Sequence, residues 1–168
     1  MDTLKNKILV ALGRIPLVKS AWGHFYSAKE TEGVPWTPLA KPLSQCRVAL
    51  LSTGGIHLKT DKPFDMSDKR GDPSYRKIPS DATSDQLMIT DIYYDYRNAD
   101  ADINLVLPID ALRTCQQEGL IGPTIDYFYG FLGHLEDEYL DQFISHIIKE
   151  IARQLKEQGA DVAILIPA

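Results

Sequence analysis

Cysteine is scarce in this chain: Cys46 and Cys115 are the only two in 168 residues, far apart and outside any Cys-x-x-Cys pair. That spacing excludes a disulfide framework and a cysteine-based zinc site. Each reads as a small buried residue, since no histidine or lysine beside it would activate the thiol. Neither G-x-G-x-x-G nor G-x-x-x-x-G-K-[ST] occurs, so neither a dinucleotide fold nor a P-loop nucleotidase is supported. Basic charge is in deficit as well, with 18 Lys and Arg against 23 Asp and Glu and a net charge of −5. That balance gives no footprint for nucleic acid and no attraction to an anionic membrane. The run Ile8-Leu-Val-Ala-Leu12 is cut short by Gly13, Arg14 and Pro16, too early for a signal segment. A cytoplasmic protein is expected.

What is present is ordinary for a folded domain: 44% apolar and 24% charged residues, over a length that fits one α/β domain spanning 1–168. The chain is organised around Arg47-Val-Ala-Leu-Leu-Ser-Thr-Gly-Gly-Ile-His57. Val48 to Leu51 have no polar face, as in a strand covered on both sides in a mainly parallel sheet. The run then breaks into Ser52, Thr53, Gly54 and Gly55, where paired glycines permit positive φ and close approach to the main chain. In open α/β sheets ligands bind beyond the carboxyl ends of the strands, so these four residues are candidate substrate-binding residues. A turn that only reverses the chain is the other reading.

Ahead of that strand, Ile8, Leu12, Ile15, Val18 and Trp22 suggest a helical arm over 1–32, kinked near Gly13 and Pro16. Residues 33–46 form a strap, stiffened by three prolines between Gly33 and Pro42, with Trp36 packing it down. After the loop, 59–102 is a long polar excursion with enough apolar residues to be ordered, including a short edge strand at Leu87-Met-Ile-Thr90. The second half alternates more regularly. Ile103-Asn-Leu-Val-Leu107 reads as a strand, Pro108 to Glu118 as a helix stopped by Gly119, and Glu136 to Gln158 as a helix stopped by Gly159. Ala160 to Ile166 reads as a last buried parallel strand. The fold expected is a three-layer α/β sandwich with a mainly parallel sheet, Rossmann-like or flavodoxin-like, containing strands near 47–52, 103–107 and 161–166. Ser52 to Gly55 and Pro167 should then share one edge of the sheet.

Several separated blocks occur in order: Val48 to Lys59, Pro63-Phe-Asp65, Gly71-Asp-Pro-Ser-Tyr-Arg76, Ile78-Pro-Ser-Asp81, and Asp102-Ile-Asn104 with Pro108. Together they resemble the selenoprotein B family of glycine, sarcosine, betaine and D-proline reductases, and within it the D-proline reductase type. The resemblance implies reductive cleavage of a carbon–nitrogen bond in an amino acid or amine, with a dithiol as electron donor. It also implies a selenocysteine or cysteine immediately after Ala168, beyond the C-terminal part present here, and a pyruvoyl group on a partner subunit. A selenol is ionised at neutral pH, and a nearby thiol resolves its adduct. The partners expected are a pyruvoyl-type subunit or a thiol-redox protein, with self-association open, and no cofactor or metal in this chain. The competing reading is a non-catalytic α/β domain that binds a small molecule or a partner.

The chain departs from the family where histidines are often found: Asp91, Tyr93 and Tyr96 in Asp91-Ile-Tyr-Tyr-Asp-Tyr96, and Phe128 before Tyr129-Gly130. Tyr94 and Asp95 remain there and read as a surface hydrogen-bonding pair. His57, just past the glycines, is a candidate proton donor to a leaving amine or a structural histidine. His134 reads as structural, and His24 and His146 call for no more than packing or solvent. Arg76 could hold a substrate carboxylate, oriented by Asp72 and Tyr75; a pairing with a nearby aspartate is the alternative.

Overall fold

The computed structural model describes residues 37–168 and, before them, Ile8, Ala11, Leu12 and Ile15. The chain divides into two compact units, Met1–Pro38 with Ile92–Asp95 and Leu39–Asp91 with Tyr96–Ala168. In the first, Ile8, Ala11 and Leu12 have helical backbone. The remainder of the arm, His24, Trp36 and the start of the strap lie outside the described residues.

The second unit runs β1 Val48–Ser52, β2 Ile56–Leu58, β3 Arg76–Pro79, β4 Leu87–Ile89, α1 Arg97–Ala101, α2 Ile109–Gln117, β5 Tyr127–Gly130, α3 Asp137–Gln142, α4 Ile148–Glu157 and β6 Val162–Ile166. It is an α/β domain with a mixed, mostly parallel sheet flanked by helices, in the strand order β3-β5-β1-β6. β1 is parallel to β5 and to β6, whereas β3 runs antiparallel to β5. A separate antiparallel pair joins β2 to β4. β1 is buried at all five residues because it has a strand on each side, which the uninterrupted apolar run requires.

Both long helices end where the glycines stand. Gly119 and Gly159 take φ of 70° and 71°, and Ala160 N–H closes the last turn on the Leu155 carbonyl at 2.9 Å. α3 continues into α4 through a π-helical turn at Phe143–Ile147. Ile151 and Gln154 face inward from α4, and Ile109 and Leu112 from α2. Burying such side chains contributes roughly 1.5–3 kcal/mol each for the aliphatic ones. The excursion over 59–102 is ordered by aspartate turns: Asp65 accepts the Ser67 backbone N–H, Asp68 that of Arg70 and Asp72 that of Ser74.

Three expectations need correction. Ile103–Leu105 is a 3-10 turn and not a strand. The Asp102 carboxylate accepts the Asn104 N–H at 3.0 Å, and Asn104 in turn bonds Asp110 at the start of α2. These side chains give the backbone a local alternative to a ladder. Second, β1's other parallel neighbour is not a strand at 103–107 but the four-residue aromatic strand β5, for which the sequence predicts no strand. Third, β6 is parallel as expected but not buried: none of its residues is, and Leu165 is 70% exposed.

Candidate functional site

Register brings the carboxyl ends of the parallel strands and the amino end of the antiparallel β3 together in one row. Ser52 pairs with Gly130 of β5 on one side and with Ile166 of β6 on the other, and Gly130 pairs in turn with Arg76 of β3. With strands about 4.8 Å apart, Arg76 lies roughly 10 Å across the sheet from Ser52. Ser52 to Gly55 and Pro167 therefore do emerge at the same edge.

The loop after β1 is held internally. Ser52 Oγ accepts the Gly54 N–H at 3.2 Å, and Gly55 N–H reaches the Phe131 carbonyl at 2.8 Å. Gly55 has φ of 65°, and a Cβ there would stand 2.5 Å from the Thr90 carbonyl oxygen, so this second glycine is required by space as well as by backbone angle. Thr53 links the loop to β6: its N–H donates to the Ile166 carbonyl at 3.1 Å, and its Oγ1 accepts the Ala168 N–H at 3.1 Å. Gly133 closes the third side, since a Cβ on it would lie 3.1 Å from the Thr53 carbonyl oxygen and 3.3 Å from that of Ala168. Three chain segments thus converge within van der Waals distance.

His57 does not open onto this edge. It is fully buried on β2, with Nδ1 2.7 Å from the Leu58 carbonyl and Nε2 2.8 Å from Thr90 Oγ1. A carbonyl can only accept, so Nδ1 carries a proton and donates to Leu58, while Nε2 is paired with the Thr90 hydroxyl. Phe64 stands edge-on to the ring at 5.8 Å.

Arg76 is nearly enclosed. Its guanidinium lies 4.3 Å over the Phe64 ring, and its N–H groups donate to the carbonyls of Lys62, Pro63 and Tyr75 and to Ser74 Oγ, with Asp72 at 3.7 Å. Burial pushes the Asp72 carboxyl up, but the Ser74 hydroxyl, the backbone N–H groups of Asp65 and Ser74, and Arg76 together bring it below the ordinary carboxylate range. Tyr75 turns the other way, its hydroxyl donating to Glu150 at 3.0 Å and accepting from Gln154 at 2.9 Å. Burial raises the Tyr75 phenol above its usual value. Asp72, Tyr75 and Arg76 thus share the sheet edge with the loop, while their polar groups are engaged within the fold. An open cleft lies beside them, lined by Lys62, Asp65, Asp68, Asp72 and Arg76.

Thr90, Gly130 and Gly133 escaped sequence reasoning although they shape the site. Gly130 has no room for a side chain, because a Cβ would come within 2.0 Å of the Ile56 carbonyl oxygen where β2 crosses β5. The signal was the pair Gly130 and Gly133 at the end of an aromatic run. Of the family positions carrying other residues here, Phe128 is wholly buried in β5 and Asp91 is buried beside β4. His134 bonds the Lys69 carbonyl at 2.9 Å and His146 lies 2.7 Å from Ser145 Oγ. Cys46 is buried and Cys115 half-buried on α2. Among the described residues no group of His, Cys, Asp and Glu is arranged to hold a metal ion. No helix among them is long and apolar enough to cross a membrane.

A profile of the glycine/sarcosine/betaine reductase selenoprotein B family matches residues 17–168. The chain is 40% identical over 130 residues to D-proline reductase subunit gamma of Acetoanaerobium sticklandii, covering 77% of this chain and 52% of that one. It is 31% identical to glycine reductase complex component B subunit gamma of Symbiobacterium thermophilum, over 83% of this chain and 32% of that one. Against betaine reductase complex component B subunit beta of Peptoclostridium acidaminophilum it is 33% identical, over 74% and 28%. The chain thus spans about half the length of the first and about a third of the others. No solved structure matches it.

Proposed function

The chain belongs to the glycine/sarcosine/betaine reductase selenoprotein B family, and we propose that it forms the substrate-facing sheet edge of a D-proline-reductase-type subunit acting in a cytoplasmic reductase complex. The reaction is reductive cleavage of a carbon–nitrogen bond in an amino acid or amine. It takes two electrons and two protons, supplied as a dithiol becomes a disulfide. The redox residue, a selenocysteine or cysteine, belongs after Ala168, and a pyruvoyl group belongs to a partner subunit. An ionised selenol supplies the nucleophile there. We further take the complete fold to be a three-layer sandwich of Rossmann or flavodoxin kind.

The observation that carries this reading is the convergence of Thr53, Gly133 and Ala168 at the carboxyl edge of the sheet. A residue following Ala168 would emerge beside the Ser52–Gly55 loop. Thr53 Oγ1 fixes the Ala168 N–H, so the exit direction of that residue is set by this chain's own hydroxyl. The absence of a side chain at Gly133 leaves clearance for substrate or a reacting group. Ser52, Thr53, Gly54 and Gly55 are assigned to substrate binding, with Asp72, Tyr75 and Arg76 along the same edge. Arg76 can receive a carboxylate only by exchanging its bonds to Ser74 and the Lys62 and Pro63 carbonyls. His57 can pass a proton only through Thr90, whose hydroxyl stands at Nε2.

The purified chain is expected to show no D-proline-dependent oxidation of a dithiol, since Cys46 is buried and both it and Cys115 are free cysteines without a resolving partner. Turnover by the chain alone that disappears in Cys46→Ser or Cys115→Ser would overturn this reading. At the nucleotide level, a UGA after the Ala168 codon with an open frame behind it supports the reductase. A UAA or UAG there leaves the non-catalytic binding domain.

A further inference from the structure

The two outer strands of the sheet are treated oppositely by the sequence. β3 carries Arg76, Lys77 and Pro79, the charges and imino acid that keep an exposed edge from pairing with another chain. β6, the other edge, reads Val-Ala-Ile-Leu-Ile with neither charge nor proline. Its outward groups can be identified. Val162 N–H donates to the Arg47 carbonyl and the Ile166 carbonyl accepts from Thr53, so residues 162, 164 and 166 address β1. By alternation the N–H and C=O of Ala163 and Leu165 point away from the sheet, where no strand among the described residues pairs with them. Both faces are bare too, with Ile164 39% and Leu165 70% exposed on opposite sides. The helix that leads to this strand adds a second apolar row, Leu140, Ile144 and Ile148, at 42%, 58% and 42% exposure.

We propose that the open edge of β6 is the docking site for the half of a D-proline-reductase-type subunit that this chain does not span, which adds a strand beside β6 and a helix over its apolar face. The proposal rests on the functional reading above for the identity of that partner. The match leaves out about half of D-proline reductase subunit gamma, enough polypeptide for several βα units of roughly 30 residues each. A second copy of this chain is the poorer occupant. Pairing β6 with its own symmetry mate supplies a strand but brings to Ile164 and Leu165 only another bare β6. A βα segment satisfies the outward amides and also covers a face, as parallel sheets require.

The test co-expresses the 168-residue chain with the unmatched half of the Acetoanaerobium sticklandii subunit, tagged on the latter, and follows amide hydrogen exchange in the purified chain and in the pair. A one-to-one complex is expected, in which exchange slows at Ala163 and Leu165 by about a hundredfold. Val162, Ile164 and Ile166, already bonded to β1, should change little. Leu165→Pro removes one outward N–H and no bond to β1, and Leu165→Lys places a charge on the edge. Each should weaken the complex about tenfold or more, with Lys77→Ala on β3 as the neutral control. A complex without slowed exchange at Ala163 and Leu165 would overturn the proposal. So would a self-dimer that protects those amides and excludes the added polypeptide, or a chain that stays monomeric and captures nothing. If the complex forms as described yet oxidises no dithiol with D-proline once the pyruvoyl-bearing partner subunit is added, the docking site stands and the functional reading falls.

Discussion

Val48-Ala-Leu-Leu-Ser52 and Val162-Ala-Ile-Leu-Ile166 lie side by side in parallel register, Val48 against Val162 and Leu51 against Leu165. Their compositions are almost the same, yet β1 is buried throughout while β6 is buried nowhere. The difference lies in their neighbours. β1 has β5 on one side and β6 on the other, whereas β6 has, among the described residues, β1 alone. An apolar run states that a segment needs cover on both faces; it does not state whether the cover comes from the same stretch of chain. β6 is the place where the demand written in the sequence exceeds what residues 37–168 supply.

The largest expected effect breaks that comparison directly. Leu50→Ala deletes a fully buried side chain at the centre of β1, and it should cost about 3 kcal/mol in urea unfolding. Ile164→Ala, at the registered position in β6, should cost about 1 kcal/mol or less, because Ile164 already contacts water. Equal costs would mean that β6 is covered in solution by something that also binds the isolated chain.

Burial of β1 depends on β5, which two smaller changes probe. Gly130→Ala forces a Cβ against the Ile56 carbonyl where β2 crosses the strand, and about 2 kcal/mol of destabilisation is expected from overpacking. Tyr129→Phe deletes a hydroxyl that donates to Gln154 at 3.1 Å and accepts from Gln158 at 2.9 Å. Since burial raises that phenol above its usual value, it stays protonated at neutral pH. Its loss should cost about 1 kcal/mol, read as a lower thermal midpoint. A Tyr129→Phe protein as stable as the parent would mean that water satisfies both glutamines and that α4 is less firmly seated on the sheet.

The same contrast explains what could be read in advance. β1, α2, the helix from Asp137 to Glu157 and both glycine stops carry local signals, namely an apolar run, a three- and four-residue period, and a cap. Ile103 to Leu107 carried a strand signal too, and lost to Asp102, Asn104 and Asp110, whose side chains bind the backbone locally. β5 was too short and too glycine-flanked to register as a strand. At the site, Ser52 to Gly55 stood out because paired glycines after an apolar run are a local feature. The alignment of Arg76, Gly130, Ser52 and Ile166 is set by long-range pairing, which no window of sequence contains. Nor could sequence reveal that His57 has both ring nitrogens bonded, since Thr90 is brought to it by the β2–β4 pair.

The smallest expected effect concerns how β6 is tied to β1 at its start. The Asp161 carboxylate accepts the Arg47 backbone N–H at 2.7 Å and the Lys41 ammonium at 2.7 Å. Lys41 first, and then the Arg47 N–H, hold this carboxyl below the ordinary carboxylate range. A carboxyl whose pKa is lower in the folded state than in the unfolded chain stabilises the fold above its unfolded value. That contribution fades as pH falls through the folded one. Asp161→Asn should therefore lower the urea midpoint slightly at pH 7, and the gap to the parent should close as pH drops below the ordinary carboxylate range. Salt should narrow the gap at pH 7 as well, because the Lys41 pair is solvent-exposed. A gap that persists unchanged in acid would show that the loss in Asp161→Asn does not come from the charge of the carboxylate. The entry to β6 would then be held by the backbone pairing of Asp161 and Val162 to the Arg47 carbonyl.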